Sequence, residues 1–543
     1  MTSSKPPARS ASNGGGKVPQ RRREPHLSPP AYVLNKHDSR VLDPDNAVRF
    51  PGQIIRPTVY VASELLVRYG AFDEVRKPLA EAAGESLKLE ITRPDPKILA
   101  FARKFELVEL AERILTVRVR FVAADPEAPL APADAWTILQ RFRAAVGRKS
   151  AAARAVTLNH LLSASVDIGG APKSVGQGAE GAPKSVGQGA GGPSDAYGVI
   201  GYGGRQPVNW IGAPPVYRPD AIVNKEAGRR PVVVVLDTGA GEHDWLPPTI
   251  VDRQPKVGST RIGLIDSKTN PERTGVVGDP LEGVLDADAG HGTFIAGLIR
   301  QKCPDAKVLA VRVMYGDGAV NEQELVDVLN WLVLRQAAAQ QSGPVDQIID
   351  VVSLSLGYYH EEPADVAYDQ LLMLPLTELS LMGVAVVAAA GNDATSRHMY
   401  PAGFAPHPGG QVKRNRNGAP LVSVGATNPN DRTTALFSND GDWVIAKRPG
   451  ASVVSTLPKT FDAALEPTAR VVIKGLGVRE TIDPDDFRGG FAVWSGTSFS
   501  APILAGEIAQ KLLEAGKLDV CDTASTVTRA WGAISELTKL RRP

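Results

Sequence analysis

The chain has 543 residues, 43% of them apolar and 22% charged, and its 61 basic and 59 acidic residues leave a formal charge of +2. That balance excludes a wholly disordered chain and a polycationic nucleic-acid wrapper. At roughly 100 to 200 residues per domain, the length predicts two or three domains, or one large α/β enzyme domain with about 240 residues in addition.

Residues 1–50 are rich in Ser, Pro, Gly and Arg and lack hydrophobic periodicity, so they are expected to form a disordered basic tail. Its run Arg21, Arg22, Arg23 reads as a solvated charge cluster rather than a nucleic-acid contact. No apolar stretch of signal-peptide length follows. From 51 to 165 the pattern predicts a small α+β domain. Strands are expected at Thr58–Ala62, Leu87–Ile91 and Ile114–Val122, and a helix at Ala133–Val146 carries Trp136, Leu139, Phe142 and Val146 on one face. No residue in this stretch announces chemistry. Residues 166–229 form a Gly-rich linker with the direct repeat GAPKSVGQGA at 170–179 and 181–190, too short and too polar for a solenoid.

Residues 230–543 are strongly periodic. Val232–Leu236, Val308–Val313, Asp350–Leu356, Val384–Ala389 and Leu421–Val424 are apolar runs without alternation, as parallel strands buried on both faces require. Helical stretches separate them. One begins at Asn321 with Glu324 in capping-box spacing, then places Leu325, Val328, Leu329 and Leu332 on one face. The alternation predicts a doubly wound parallel sheet covered by helices on both faces, with chemistry beyond the C-terminal strand ends. The run Val384–Ala390 is far short of the ~20 residues a membrane helix needs. The two cysteines, Cys303 and Cys521, cannot build a disulfide framework. Together with the missing signal peptide, this predicts a cytoplasmic protein, with export by another route left open.

Four residues stand where such chemistry gathers. Asp237 ends a strand in VVVVLDTGAG, where a carboxylate either acts in catalysis or bonds loop amides. His291 opens HGTFIAGLIR between Gly290 and Gly292, which presents an imidazole to a cleft. Ser498 lies in WSGTSFSAP, where a glycine turn enters the apolar helix Ile503–Leu513, and Pro502 suits that helix's first turn. Ser495, Thr497 and Ser500 are neighbouring alternatives, and a helix N-cap is the plain reading of the segment. Asn392, in VAVVAAAGND, is either a turn residue or a donor to an anion. As a set they supply the orienter, base, nucleophile and oxyanion donor of acyl transfer, which outweighs the separate readings.

The order Asp237, His291, Asn392, Ser498, within DTG, HGT, AAAGN and GTSFSAP, resembles the subtilisin-like serine proteases (subtilases, peptidase family S8) over about residues 230–515. The resemblance implies a subtilisin-like fold and a serine endopeptidase that works through an acyl-enzyme. In it Asp237 orients His291, His291 takes the proton of Ser498, and the Asn392 side chain with the Ser498 backbone N–H holds the oxyanion. It further implies substrate-binding edges at Ser355, Leu356, Gly357 and at Ala389, Ala390, Gly391, where small residues admit a peptide by strand addition. Ordinary tight packing is their alternative reading. It also implies that residues 51–165 are an inhibitory propeptide, released by self-cleavage between about 166 and 230. A permanent recognition domain is the alternative there.

The sequence departs from the family pattern at Phe294, where many relatives carry a second histidine, and by an inserted segment, VVIKGLGVRETI, that reads as a β-hairpin. Asp286, Asp288, Glu242 and Asp244 lack calcium-ligand spacing and read as exposed loop carboxylates, so neither a metal nor another cofactor is expected. Cys303 reads as a core or turn residue. The partners implied are a polypeptide substrate and a protein recognised through the N-terminal domain, with neither nucleic acid nor membrane. Two rival readings remain: a catalytically silent peptide-binding scaffold, and a protease dedicated to maturing one peptide.

Overall fold

Two seven-stranded β-sheets organise the chain, and the first draws strands from both halves of the sequence. The structure, a computed structural model, describes residues 25, 27, 29–125, 127, 133–164, 204–209, 212–362 and 370–543. The first 24 residues of the tail expected over 1–50, and the direct repeat at 170–190, lie outside the described residues.

The N-terminal half runs α1 (Ala31–Lys36), β1 (Ser39–Val41), β2 (Val59–Arg68), α2 (Phe72–Ala83), β3 (Leu87–Thr92), α3 (Pro96–Lys104) and α4 (Val108–Ile114). It continues through β4 (Thr116–Ala123), α5 (Ala135–Val146), α6 (Ala151–Arg154) and β5 (Val156–Ala164). Helix α2 buries Phe72, Val75, Leu79 and Ala83, and α5 buries Trp136, Leu139 and Phe142, so both lay one apolar stripe on β2, β4 and β5. Ordered structure begins earlier than composition predicts. Strand β1 pairs with β2, and Trp136 Nε1 donates 2.9 Å to the Val48 carbonyl. Residues 31–50 are therefore held by tertiary partners that low-complexity composition does not reveal.

The C-terminal half adds β6 (Gln206–Pro207), α7 (Asp220–Ala227), β7 (Val232–Asp237), β8 (Val251–Asp252), β9 (Lys256–Val257), β10 (Thr260–Arg261), α8 (Pro271–Thr274) and α9 (His291–Lys302). Then come β11 (Lys307–Arg312), β12 (Ala319–Asn321), α10 (Glu322–Ser342), β13 (Val351–Leu354), β14 (Leu356–Gly357), α11 (Gln370–Leu381), β15 (Ala385–Ala389) and β16 (Val422–Thr427). The chain ends with β17 (Ala446–Pro449), β18 (Val453–Thr456), β19 (Arg470–Ile473), β20 (Gly477–Glu480), β21 (Phe491–Trp494), α12 (Thr497–Ala515) and α13 (Thr523–Leu537).

Its main sheet has the order β17-β16-β15-β13-β7-β11-β8, with every pair parallel. Every residue of β7, β13, β15 and β16 is buried, which is why these strands read as unbroken apolar runs. Helices α9, α12 and α13 pack together against the sheet, while α10 pairs with α11, so the two groups cover its faces. The insertion forms the hairpin β19-β20, with Val472 and Leu476 each 74% exposed. Among the described residues no helix is long and apolar enough to cross a membrane.

Strand β5 joins the halves. One edge pairs with β2, and the other meets β12 and β14 of the C-terminal half, all antiparallel. Leu162 stands opposite Val320, and Ala164 opposite Leu356.

Candidate active site

The C-terminal ends of the parallel strands carry the candidate residues. Asp237 closes β7, Ser355 follows β13, and Asn392 lies just past β15. His291 and Ser498 sit in the first turns of α9 and α12, behind Gly290 and Gly496. Strands that end on one edge of a parallel sheet bring these segments together although up to 261 positions of sequence separate them.

His291 Nδ1 lies 2.7 Å from Asp237 Oδ1, while Nε2 has no hydrogen-bond partner. Burial opposes protonation of this imidazole, but the Asp237 carboxylate beside it prevails and holds the ring above its ordinary value. Asp237 Oδ1 also accepts from the Thr238 N–H at 2.8 Å. The Ser498 hydroxyl is turned to the Ser355 carbonyl, 3.3 Å away, and in return the Ser355 hydroxyl donates 2.8 Å to the Ser498 carbonyl. Asn392 Oδ1 accepts from the N–H and hydroxyl of Thr497, both at 2.9 Å, which leaves Nδ2 without a partner. An amide fixed through its oxygen, with its NH2 group free beside the residue preceding Ser498, is oriented to donate to a developing anion.

The two predicted substrate edges fall differently. Ser355, Leu356 and Gly357 border the site, and β14 pairs with β5. Ala389 and Ala390 are fully buried, and the Gly391 N–H donates 3.1 Å to Thr497 Oγ1. Gly391 has φ +102°, and a Cβ there would meet Asn439 Nδ2 at 2.4 Å and Met399 Sδ at 2.5 Å, so only glycine lets this wall approach Thr497. Asp237, His291, Ser498 and Asn392 are 0–2% exposed. With β5 in place, the site is closed to solvent.

Several contributors escaped the sequence reading. Glu272, from α8, accepts from the hydroxyls of Thr238 and Thr293, each at 2.5 Å. Thr238 Oγ1 in turn accepts from the Gly292 N–H at 2.8 Å. This buried carboxylate therefore locks the turn after Asp237 to the turn after His291. Burial, opposed by the two hydroxyls, raises its pKa. The threonines were visible within DTG and HGT; Glu272, 20 to 35 residues away in a short helix, gave no such signal. Phe294, the departure from the family pattern, packs with Trp494 and Phe499, and both of those also touch the His291 ring. It is part of an aromatic wall behind the His291 ring.

The acidic loop is a correction. Glu242 and Asp244 are exposed as expected, but Asp288 is 6% exposed and Asp286 is half-buried. Arg205 pins their loop by donating to the carbonyls of Asp286, Ala287 and Ala289, and it stacks on Trp494. The N-terminal half also holds chemistry: His160 of β5 places Nδ1 2.6 Å from Glu322 and Nε2 3.0 Å from Glu361. Burial alone would push this imidazole down, but the two carboxylates lift it to about 10. Cys303 is buried, which pushes its thiol up to about 12, and Cys521 is partly exposed.

Residues 228–530 match the model of the subtilase family. The chain is 27% identical to the minor extracellular protease Epr of Bacillus subtilis over 245 residues, covering 40% of this chain and 32% of that protein. It is 25% identical to the serine protease AprX of the same organism over 297 residues, covering 51% and 56%. It thus spans less than two thirds of the length of either relative. The crystal structure of fervidolysin from Fervidobacterium pennivorans, described as a keratinolytic enzyme related to subtilisin, is 16% identical and superimposes with a TM-score of 0.43 over 86% of this chain and 56% of that one. With more than half of its residues matched to the family model, the chain belongs to the subtilase family.

Proposed function

We propose that the protein is a serine endopeptidase that hydrolyses polypeptide substrates through an acyl-enzyme on Ser498. The observation that carries this reading is the 2.7 Å contact between His291 Nδ1 and Asp237, with Nε2 left unpartnered on the other side of the ring. A ring held this way has the tautomer and orientation of a general base. The Ser498 hydroxyl turns from the Ser355 carbonyl to His291 Nε2, passes its proton there and attacks the substrate carbonyl. Asn392 Nδ2 and the Ser498 N–H donate to the resulting oxyanion, and His291 then protonates the leaving amine.

Residues up to Ala164 act as an inhibitory unit, a reading supported by β5 lying antiparallel along β12 and β14, as an extended substrate would. Self-cleavage is expected beyond Ala164, between about residues 166 and 230. Catalysis by this scheme draws on no metal or other cofactor.

A fluorophosphonate probe and intact-mass measurement test the reading together. The wild-type chain should be labelled at Ser498 and should lose its N-terminal half by a cut between about residues 166 and 230, whereas Ser498→Ala should do neither. A wild-type chain that takes no label once residues 1–165 have been removed would mark it as a peptide-binding scaffold.

A further inference from the structure

Three carboxylates, Asp286, Asp288 and Asp317, converge on the Gly316–Gly318 turn beside β5. A Cβ on Gly316 would meet Asp286 Oδ2 at 1.9 Å, and one on Gly318 would meet Asp288 Oδ2 at 2.0 Å. The same Gly318 Cβ would stand 3.4 Å from the Ala164 methyl, so the Ala164 side chain and the Asp288 carboxylate point into one small space. Here the lack of a side chain at 318 is what creates room.

The three acids differ in how they are satisfied. Asp286 Oδ1 accepts from the Gly278 N–H at 2.8 Å, and Asp317 pairs with Lys36 Nζ at 2.6 Å and His37 Nε2 at 3.1 Å. Asp288 is nine-tenths buried, its Oδ1 has no hydrogen-bond partner, and no described cation pairs with it. Of the basic groups that act on it, His291 is bonded through Nδ1 to Asp237, and Arg205 gives its hydrogen bonds to backbone carbonyls. Burial pushes the Asp288 carboxyl up to about 7, against the pull of His291 and Arg205. A buried carboxylate facing a methyl group is a costly arrangement that a cation would relieve.

We propose that Asp288, backed by Asp317, forms a cation-selective subsite for the substrate side chain that takes the place of Ala164. The peptides recognised then carry Lys or Arg at the position that Ala164 fills. This inference rests on the peptidase reading for its consequence in turnover, while the binding preference itself can be read without catalysis.

The test uses the full-length Ser498→Ala chain, with position 164 changed to Lys, Met or Glu and amide hydrogen exchange read over residues 156–164. Lysine should protect β5 at least about tenfold more than methionine of similar length, and glutamate less than either. Asp288→Asn, which keeps the shape, should erase the difference between lysine and methionine. Equal protection by lysine and methionine, or a lysine advantage that survives Asp288→Asn, overturns the proposal. In the wild-type chain, paired peptides with Lys or norleucine at this position give the second reading. Cleavage of both at equal rates also overturns it. If neither peptide is cut while the exchange result holds, the subsite stands and the peptidase reading fails.

Discussion

Ala164 stands opposite Leu356 in an antiparallel pair, and its N–H donates 2.7 Å to the Gly318 carbonyl on the other side of the slot. One residue of the N-terminal half is thus bonded to both edges that a substrate backbone would use. Main-chain bonds of this kind are indifferent to side chains, so β5 holds the slot by geometry, and its side chains decide how firmly.

Asn392 is argued to act only when charge develops on the substrate, because its Oδ1 is already fixed by Thr497. Asn392→Ala should therefore lower kcat of the processed enzyme by about 10² to 10³, roughly 3 to 4 kcal/mol of transition-state stabilisation, with KM little changed. Steady-state kinetics on a peptide substrate check this. A loss confined to KM would move Asn392 from the oxyanion to ground-state binding.

The role proposed for His291 predicts the acid limb of the pH profile. Asp237 holds the His291 imidazole above its ordinary value of about 6.5. Since the neutral ring is the one that accepts a proton, kcat/KM should decline on acidification with a midpoint above 6.5. Asp237→Asn should cut kcat steeply and bring that midpoint down. A profile flat to about pH 4 contradicts the role given to His291.

The His160 contact predicts an alkaline weakness. Its folded pKa of about 10 exceeds the ordinary 6.5, so its contribution to stability is complete below about 6.5, shrinks as the pH rises, and is gone above about 10. Thermal unfolding of the Ser498→Ala chain, compared with the same chain carrying His160→Gln, measures this. The difference in Tm should narrow between pH 7 and pH 10; a gap constant across that range would show that the imidazole is neutral between Glu322 and Glu361.

Much of the architecture was legible because burial on both faces removes alternation. Val232–Leu236 was readable as a central strand for that reason, and it is β7 with one further residue, Asp237. Helix α12 begins at Thr497, six residues before the expected apolar run, because its first turn is lined by the site's small polar residues rather than by a hydrophobic stripe. The expected capping box at Asn321 is absent: that side chain makes no cap bond, and Glu324 accepts instead from the Tyr315 hydroxyl.

By itself the sequence determined the parallel sheet and the family, and it singled out Asp237, His291, Asn392 and Ser498 as candidates, because each sits inside a short motif whose local chemistry is complete within a few positions. Only the tertiary structure decided that β5 fills the slot between Gly318 and Leu356, that Glu272 ties the two threonines together, and that Asp288 is buried without a partner. Those features depend on desolvation and on contacts between segments up to about 190 positions apart. A carboxylate's surroundings, unlike a strand's periodicity, leave no trace in its neighbours along the chain.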